Sequence, residues 1–270
     1  MSRIIGRDHA DFIVGYLDAG APQPGARSWR DTIKVRGVAE ARSAQSEFAE
    51  VAGLLALVDD AIPIASLSAM VGSNRQLSRN QRIRFVDLNR DELIRTPLRA
   101  RYTGMKDLWL PRTVLEADFL VSMPKIKTHH WSGVTLAMKN MFGIVPGARY
   151  GWPKNILHWK GIQESILDLC ATVPIHFVIA DGIIAMEGNG PLNGASRPLG
   201  KIVLADDPVA ADSTCARLMG FDPLRIMHIS EGARFLGNAE STHIDQLGDL
   251  VRPPIIPFRV VPEFENLYAI

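Results

Sequence analysis

The sequence predicts an α/β protein, a layered sandwich whose mostly parallel central sheet is flanked by helices. Three apolar runs carry that expectation: 118–123 (DFLVSM), 175–180 (IHFVIA) and 201–205 (KIVLA), each ending in polar residues that lead toward a helical pattern. They are continuous rather than alternating, as strands covered on both faces are. A well-punctuated helix follows the third run: Asp207 suits the N-cap, Pro208 the first helical position and Gly220 the stop, which predicts a helix over 208–219.

The 270 residues are read as one α/β domain over 1–270 with its core at about 115–225. Toward the N-terminus, 20–37 is rich in turn formers, 39–58 carries an amphipathic helical pattern and 82–88 (RIRFVDL) alternates as a strand does. Arg75, Arg79, Arg82 and Arg84 lack interleaved aromatics and are read as a solvated face.

Lys and Arg number 30 against 29 Asp and Glu, so no global field draws nucleic acid or an anionic membrane. Apolar runs such as 51–58 fall far short of the ~20 residues a membrane helix needs, and no export signal is read at the start. A cytoplasmic protein is expected. Cys170 and Cys215 are the whole cysteine complement, which excludes a four-cysteine zinc site or iron–sulfur cluster within this chain.

Against that neutral background, 123–143 (MPKIKTHHWSGVTLAMKNMFG) gathers Lys125, Lys127, His129, His130 and Lys139. Ser132 is the expected N-cap of a following helix ending near Gly143, whose free amides and dipole would favour an anion beside the lysines. The competing reading is that Lys125 and Lys127 only solvate a sheet edge. After the second run stand Asp181 and Glu187, a general base or metal-ligand pair, or equally turn chemistry among Gly188, Asn189 and Gly190. After the third, Asp206 and Asp207 are read as helix-start carboxylates, whereas the more interior Asp212 is a candidate partner for Lys125 or Lys139 across a crevice. Arg149, Trp152, Lys154, His158 and Trp159 mix rings with cations, as a flat anionic ligand requires. His176 is expected to pack in the sheet, and Cys215 as a small buried residue.

The segments VSMPKIKTHHWSGVTLAMKNMFGIVPG, YGWPKNILHW, VIADGIIAMEGNGPLNG and LADDPVAADSTCARLMG, in unbroken order over about 115–225, resemble the bacterial and archaeal family called domain of unknown function 362. The resemblance implies a shared crevice at Lys125, Lys127, Thr128, His129, Lys139, Asn140, Asp181, Glu187, Gly188, Gly190, Asp207 and Asp212. Many relatives look like iron–sulfur proteins through an added cysteine array, which this chain lacks.

Two function classes follow. The first is an enzyme acting on a small anionic or aromatic-acid substrate by acid–base, isomerase, lyase or redox chemistry, with Lys125, Lys127, Thr128, Lys139, Asn140, Arg149, Trp152, Lys154 and Asp212 binding and His129, His158, Asp181 and Glu187 catalysing. In a metal-dependent version His129, His158, Asp181 and Glu187 are the ligand set for a divalent ion. The second is a non-catalytic carrier of an anionic cofactor or metal centre. In both, the partner is a small anion rather than nucleic acid or membrane, with self-association left open.

Overall fold

The computed structural model describes residues 86–151 and 155–269, together with the backbone of two dipeptide strands nearer the N-terminus. The expected helix at 39–58 and most of the expected strand at 82–88 lie outside the described residues, as do Trp152 and Lys154. Strands β1 (Asp18–Ala19) and β2 (Ile33–Lys34) pair antiparallel, as do β3 (Leu93–Pro97) and β4 (Asp107–Pro111).

The central sheet has the order β5 (Val121–Ser122), β8 (Phe177–Asn189), β6 (Lys125–His129), β7 (Gly133–Thr135), with β9 (Asn193–Ala205) also paired to β8. Strands β5 and β6 run parallel to β8, and β7 and β9 run against them. The α/β class and the parallel strands β5 and β8 match the expectation, whereas β6 does not: residues 124–133, read as a turn between the first strand and a helix, contain a further strand of the sheet. The direction of β9 also departs from the expectation: residues 201–205 form the return arm of a hairpin with two 13-residue strands, not a crossover strand.

The short helices are α1 (Arg112–Leu115), α2 (Ala137–Asn140), α3 (Gly147–Tyr150) and α4 (Asn155–Trp159). Two longer ones, α5 (Ile162–Thr172) and α6 (Pro208–Met219), precede α7 (Met227–Gly232). Helix α6 forms as its sequence dictates: the Asp207 carboxylate accepts from the amides of Val209 at 2.8 Å and Ala210 at 2.9 Å, and Gly220 closes the helix at φ 86°. Helix α5 buries Ile166, Leu167 and Leu169, each side chain contributing about 1.5–3 kcal/mol over its exposed state. Its buried Asp168 accepts from the amides of Tyr102 (2.8 Å) and Thr103 (3.0 Å), tying the β3–β4 turn to the core.

The main core lies on the sheet face that carries Ile126, Val178 and Ala180, packed with Leu136, Met138, Ile166, Val209 and Cys215. A smaller cluster on the other face centres on Ile179 and Ile202. Along β6 this alternation sends Ile126 to the core side and Lys125 and Lys127 to the opposite side. That is how a run reading KIKTH holds both a core strand and a row of cations.

Candidate functional site

His129 ends β6, at the carboxyl end of the parallel strands, and its ring is fixed by the turn that follows. Its Nδ1 accepts from the backbone amides of Trp131 at 3.0 Å and Ser132 at 3.3 Å. Because both amides can only donate, Nδ1 is the acceptor, and the neutral ring carries its proton on Nε2. Burial, followed by the charges of Lys139, His130, Lys127 and His158, lowers the proton affinity of His129 to a pKa of about 3. His129 is therefore a fixed neutral donor at physiological pH.

Rings run outward from it in sequence. His129 stacks on His130 with centroids 5.1 Å apart, His130 meets Trp131 edge-on at 4.7 Å, Trp131 meets His158 at 4.8 Å and His158 meets Phe142 at 5.2 Å. The Lys139 ammonium lies 4.2 Å from the Phe142 centroid, a cation–π contact. His130 is held to the β8–β9 turn, where its amide donates to Gly190 O at 2.9 Å. Thr128 ties the same two strands, its hydroxyl donating to Gly188 O at 2.8 Å. Lys127 joins this group on the β6 face, and burial and then the Lys125 charge lower its proton affinity too. The structure thus brings together Lys127, His129, Lys139 and His158 from the expected set, with His130 and Trp131 completing the cluster.

Other candidates are taken up by the chain itself. Asp181 receives the Lys125 ammonium on one oxygen and the Ile183 amide, at 2.9 Å, on the other. Glu187 accepts from Arg197 at 2.7 Å, from Arg259 Nε at 2.8 Å and from the Arg259 amide at 3.2 Å. Burial pushes the Glu187 carboxyl up, but the hydrogen bonds from Arg197 and Arg259 outweigh it and hold it below the usual range. Arg149 lies over the Trp109 ring at 4.5 Å, and the Asn140 amide reaches Ser122 Oγ at 3.1 Å. The expected ligand set His129, His158, Asp181 and Glu187 does not assemble, since both carboxylates are ion-paired. No group of three or more His, Cys, Asp or Glu suited to a metal ion occurs among the described residues.

The N-terminus of α2 corrects another expectation. Ser132 does not cap it: the Ser132 hydroxyl donates to Val134 O, and residues 133–135 extend as β7. The cap comes from Asp212, 75 residues away, whose oxygens accept from Ala137 N at 2.6 Å and Met138 N at 2.9 Å. Asp212 is fully buried, and burial raises its pKa to about 7 although the two amides pull it down. Asp212 therefore fills the amide site expected for an outside anion.

Because β9 runs against β8, Asp206 and Asp207 stand at the end of the sheet opposite His129, as the register Val178 to Ala205 requires. A concavity of about 360 Å³ lies there, lined by Cys170, Ile175, Asp206, Asp207, Leu236 and Gly237. Its Asp207 oxygens are occupied by the α6 amides and the Asn238 amide at 2.9 Å. Residues that sequence reasoning missed are Arg197 and Arg259, the partners of Glu187, and Gln163 and His228: the Gln163 amide donates to Ser132 O at 3.4 Å, and its Oε1 meets the His228 amide at 3.3 Å and the His228 Nδ1. Only contacts across 60 residues or more reveal Arg259 and His228.

Fold and cluster together define an α/β protein with a cationic, histidine-rich cluster at the carboxyl end of its parallel strands. The chain belongs to the family described as Domain of unknown function (DUF362), whose model matches residues 64–217. Over 125 residues it is 30% identical to the Thylakoid-associated protein sll1697 of Synechocystis sp. (strain ATCC 27184 / PCC 6803 / Kazusa), a match covering 44% of this chain and 38% of that protein. The match thus takes in well under two-thirds of that relative's length. No solved structure matches the chain. No helix among the described residues is long and apolar enough to cross a membrane.

Proposed function

We propose that the protein binds a small anionic or aromatic-acid molecule at the cluster of Lys127, His129, Lys139 and His158 and acts on it by acid–base chemistry. The observation that carries this reading is the fixed tautomer of His129: with Nδ1 held by two backbone amides, Nε2–H is the donor left for developing negative charge. A neutral imidazole in that role polarises an oxygen without surrendering its proton. Lys127, buried beside Lys125, is the proton carrier, because burial and a like charge bring an ammonium toward the working range of a general base. Trp131 and Phe142 supply ring surface for a flat ligand.

A second reading, a non-catalytic carrier of an anionic cofactor, is favoured by one observation. Asp181 and Glu187, the carboxylates expected to move protons, are ion-paired with Lys125, Arg197 and Arg259. The Lys127→Arg variant separates the two, because arginine keeps the charge and does not deprotonate. A carrier retains affinity in that variant and an enzyme loses turnover.

The direct test titrates the protein with phenylacetate and with inorganic phosphate while following the histidine ring resonances. Binding in the millimolar range or tighter, weakened about tenfold or more in Lys127→Met and Lys139→Met, is expected for charge-assisted contacts. Ring resonances unmoved by either anion overturn the reading. The proposal includes a cytoplasmic setting, checked by cell fractionation, since the similar protein is named for thylakoid association.

A further inference from the structure

The fixed tautomer of His129 depends on the shape of the turn between β6 and β7. Two amides from consecutive residues, Trp131 and Ser132, converge on one ring nitrogen only while that turn keeps its conformation. Two clamps hold it from outside. On the sheet side, the His130 amide donates to Gly190 O at 2.9 Å and the His130 Nδ1 meets the same oxygen at 2.6 Å. On the helix side, the Gln163 side chain donates from Nε2 to Ser132 O at 3.4 Å. The first clamp grips the residue before the two donor amides, and the second grips the carbonyl of the residue that supplies the last of them.

Gln163 stands in the first turn of α5, and its neighbours settle which way its amide points. Ser132 O can only accept, whereas the His228 backbone amide, which meets Gln163 Oε1 at 3.3 Å, can only donate. The ring of the fully buried His228 meets the same Oε1 through Nδ1 and is a second donor to it. Two donors from α7 thus hold the oxygen of Gln163 and leave its NH2 group directed at Ser132. The hydrogen bonds run in one direction, from His228 to Gln163, from Gln163 to Ser132 and from Ser132 to His129, and tie two helices to the ring at the end of β6.

We infer that Gln163 is a positioning residue for His129, acting through the Ser132 carbonyl to hold the turn whose amides fix the ring. Its effect on the ring is a property of the protein alone, and its consequence for binding rests on the anion-site reading. The competing role for Gln163 is a tie between α5 and α7 with no bearing on His129.

The variant Gln163→Glu separates the two roles, because a carboxylate still accepts from both His228 donors and has no hydrogen to give Ser132 O at pH 7. The test measures hydrogen exchange at the Ser132 amide and the ring nitrogen shifts of His129, with the α5 amides as reference. Exchange at Ser132 should quicken about fivefold, as the loss of one ordinary hydrogen bond implies, and His129 Nδ1 should shift, while α5 exchanges as in wild type. Either readout unchanged in the folded variant overturns the inference, as does faster exchange spread evenly over α5 and the turn. Should Gln163→Glu not fold, Gln163→Met takes its place: a moved His129 Nδ1 resonance supports the assignment and an unmoved one sinks it. Binding is tested in Gln163→Met, which adds no charge, and phenylacetate affinity about fivefold below wild type is expected. Equal affinity in the two proteins overturns the role of Gln163 in binding. If phenylacetate and inorganic phosphate both fail to bind wild type, the anion-site reading falls, and the ring readouts still decide whether Gln163 positions His129.

Discussion

Asp212 caps α2 from 75 residues downstream, its two oxygens accepting from the amides of Ala137 at 2.6 Å and Met138 at 2.9 Å. The contact joins α6 to the segment that follows β7, and so sets where Lys139 stands relative to β6. Its charge state makes it sensitive to pH. Burial raises the carboxyl to about 7, above the value of 3.8 that it has free, so the folded state binds the proton more tightly than the unfolded one. That contribution is fully present below the unfolded value and is lost as pH rises through about 7. Asp212→Asn removes this dependence and keeps only one strong acceptor. The variant should be less stable than wild type by about 1 kcal/mol at pH 5, with the gap narrowing by pH 8, in urea denaturation at both values. A gap that widens with pH contradicts the placement.

Glu187 should report on stability rather than on ligand binding. It sits between Arg197 and Arg259, with its proton affinity lowered on balance by their hydrogen bonds. Glu187→Ala strands those donors and is expected to destabilise the fold by about 2 kcal/mol at pH 7, between the ~0–1 kcal/mol of an exposed pair and the ~3–5 kcal/mol of a buried one. Because the folded carboxyl is depressed, the stabilisation is present above the unfolded value of 4.5 and fades as pH falls through the lower folded value. The difference from wild type should therefore shrink in acid. Phenylacetate affinity unchanged in the folded variant, measured by calorimetry, completes the prediction.

Much of this arrangement was legible in the sequence, for reasons that differ by element. Helix α6 follows from local chemistry alone: Asp207, Pro208 and Gly220 act within one turn of themselves. The apolar runs at 175–180 and 201–205 are strands as expected, but an apolar run has no sign of direction. The residues between them, Gly188 to Gly194, look like loop and instead complete a long hairpin. That reversal carried Asp206 and Asp207 to the wrong end of the sheet for a shared crevice. The lysines of β6 were identifiable by type, as local charge on a neutral chain, but not as strand residues, because the same segment reads as a turn before a helix. Nor were their fates, because Asp181 reaches only Lys125 and that choice is made across 56 residues. The Asp212 cap, the Arg197 and Arg259 clamp and the Gln163 to His228 link are all contacts between distant segments, which no local pattern encodes.

Lys125 and Lys127, two residues apart on one strand face, should behave in opposite ways. Lys125→Met leaves the buried Asp181 without its cation and is expected to destabilise the protein by about 2 kcal/mol at pH 7. Lys127→Met removes a charge that burial and Lys125 already disfavour, so stability should hold or rise slightly. Affinity for phenylacetate should fall in Lys127→Met by about 1–3 kcal/mol, the worth of a charge-assisted hydrogen bond. Melting temperatures and calorimetric titration of both variants check the contrast, and equal destabilisation by the two substitutions would falsify the assignment of separate roles.

The histidine tautomers are the sharpest consequence, because they follow from the donor or acceptor character of the groups that each ring meets. Backbone amides can only donate, so His129 Nδ1 accepts; Gln163 Oε1 can only accept, so His228 Nδ1 donates. Nitrogen chemical shifts should show His129 protonated at Nε2 and His228 at Nδ1, both unchanging from pH 8 down to pH 5. Burial first, and then the Lys139 charge, puts both buried rings at a pKa of about 3. The folded state therefore refuses protons that the unfolded chain accepts, and stability is lost as pH falls from about 6.5 toward 3. A Lys139→Met variant should raise both ring pKa values together, since one ammonium acts on both. A midpoint near 6.5 for His129 contradicts its burial, and a shift confined to one ring in that variant means that the two histidines do not share the lysine's field.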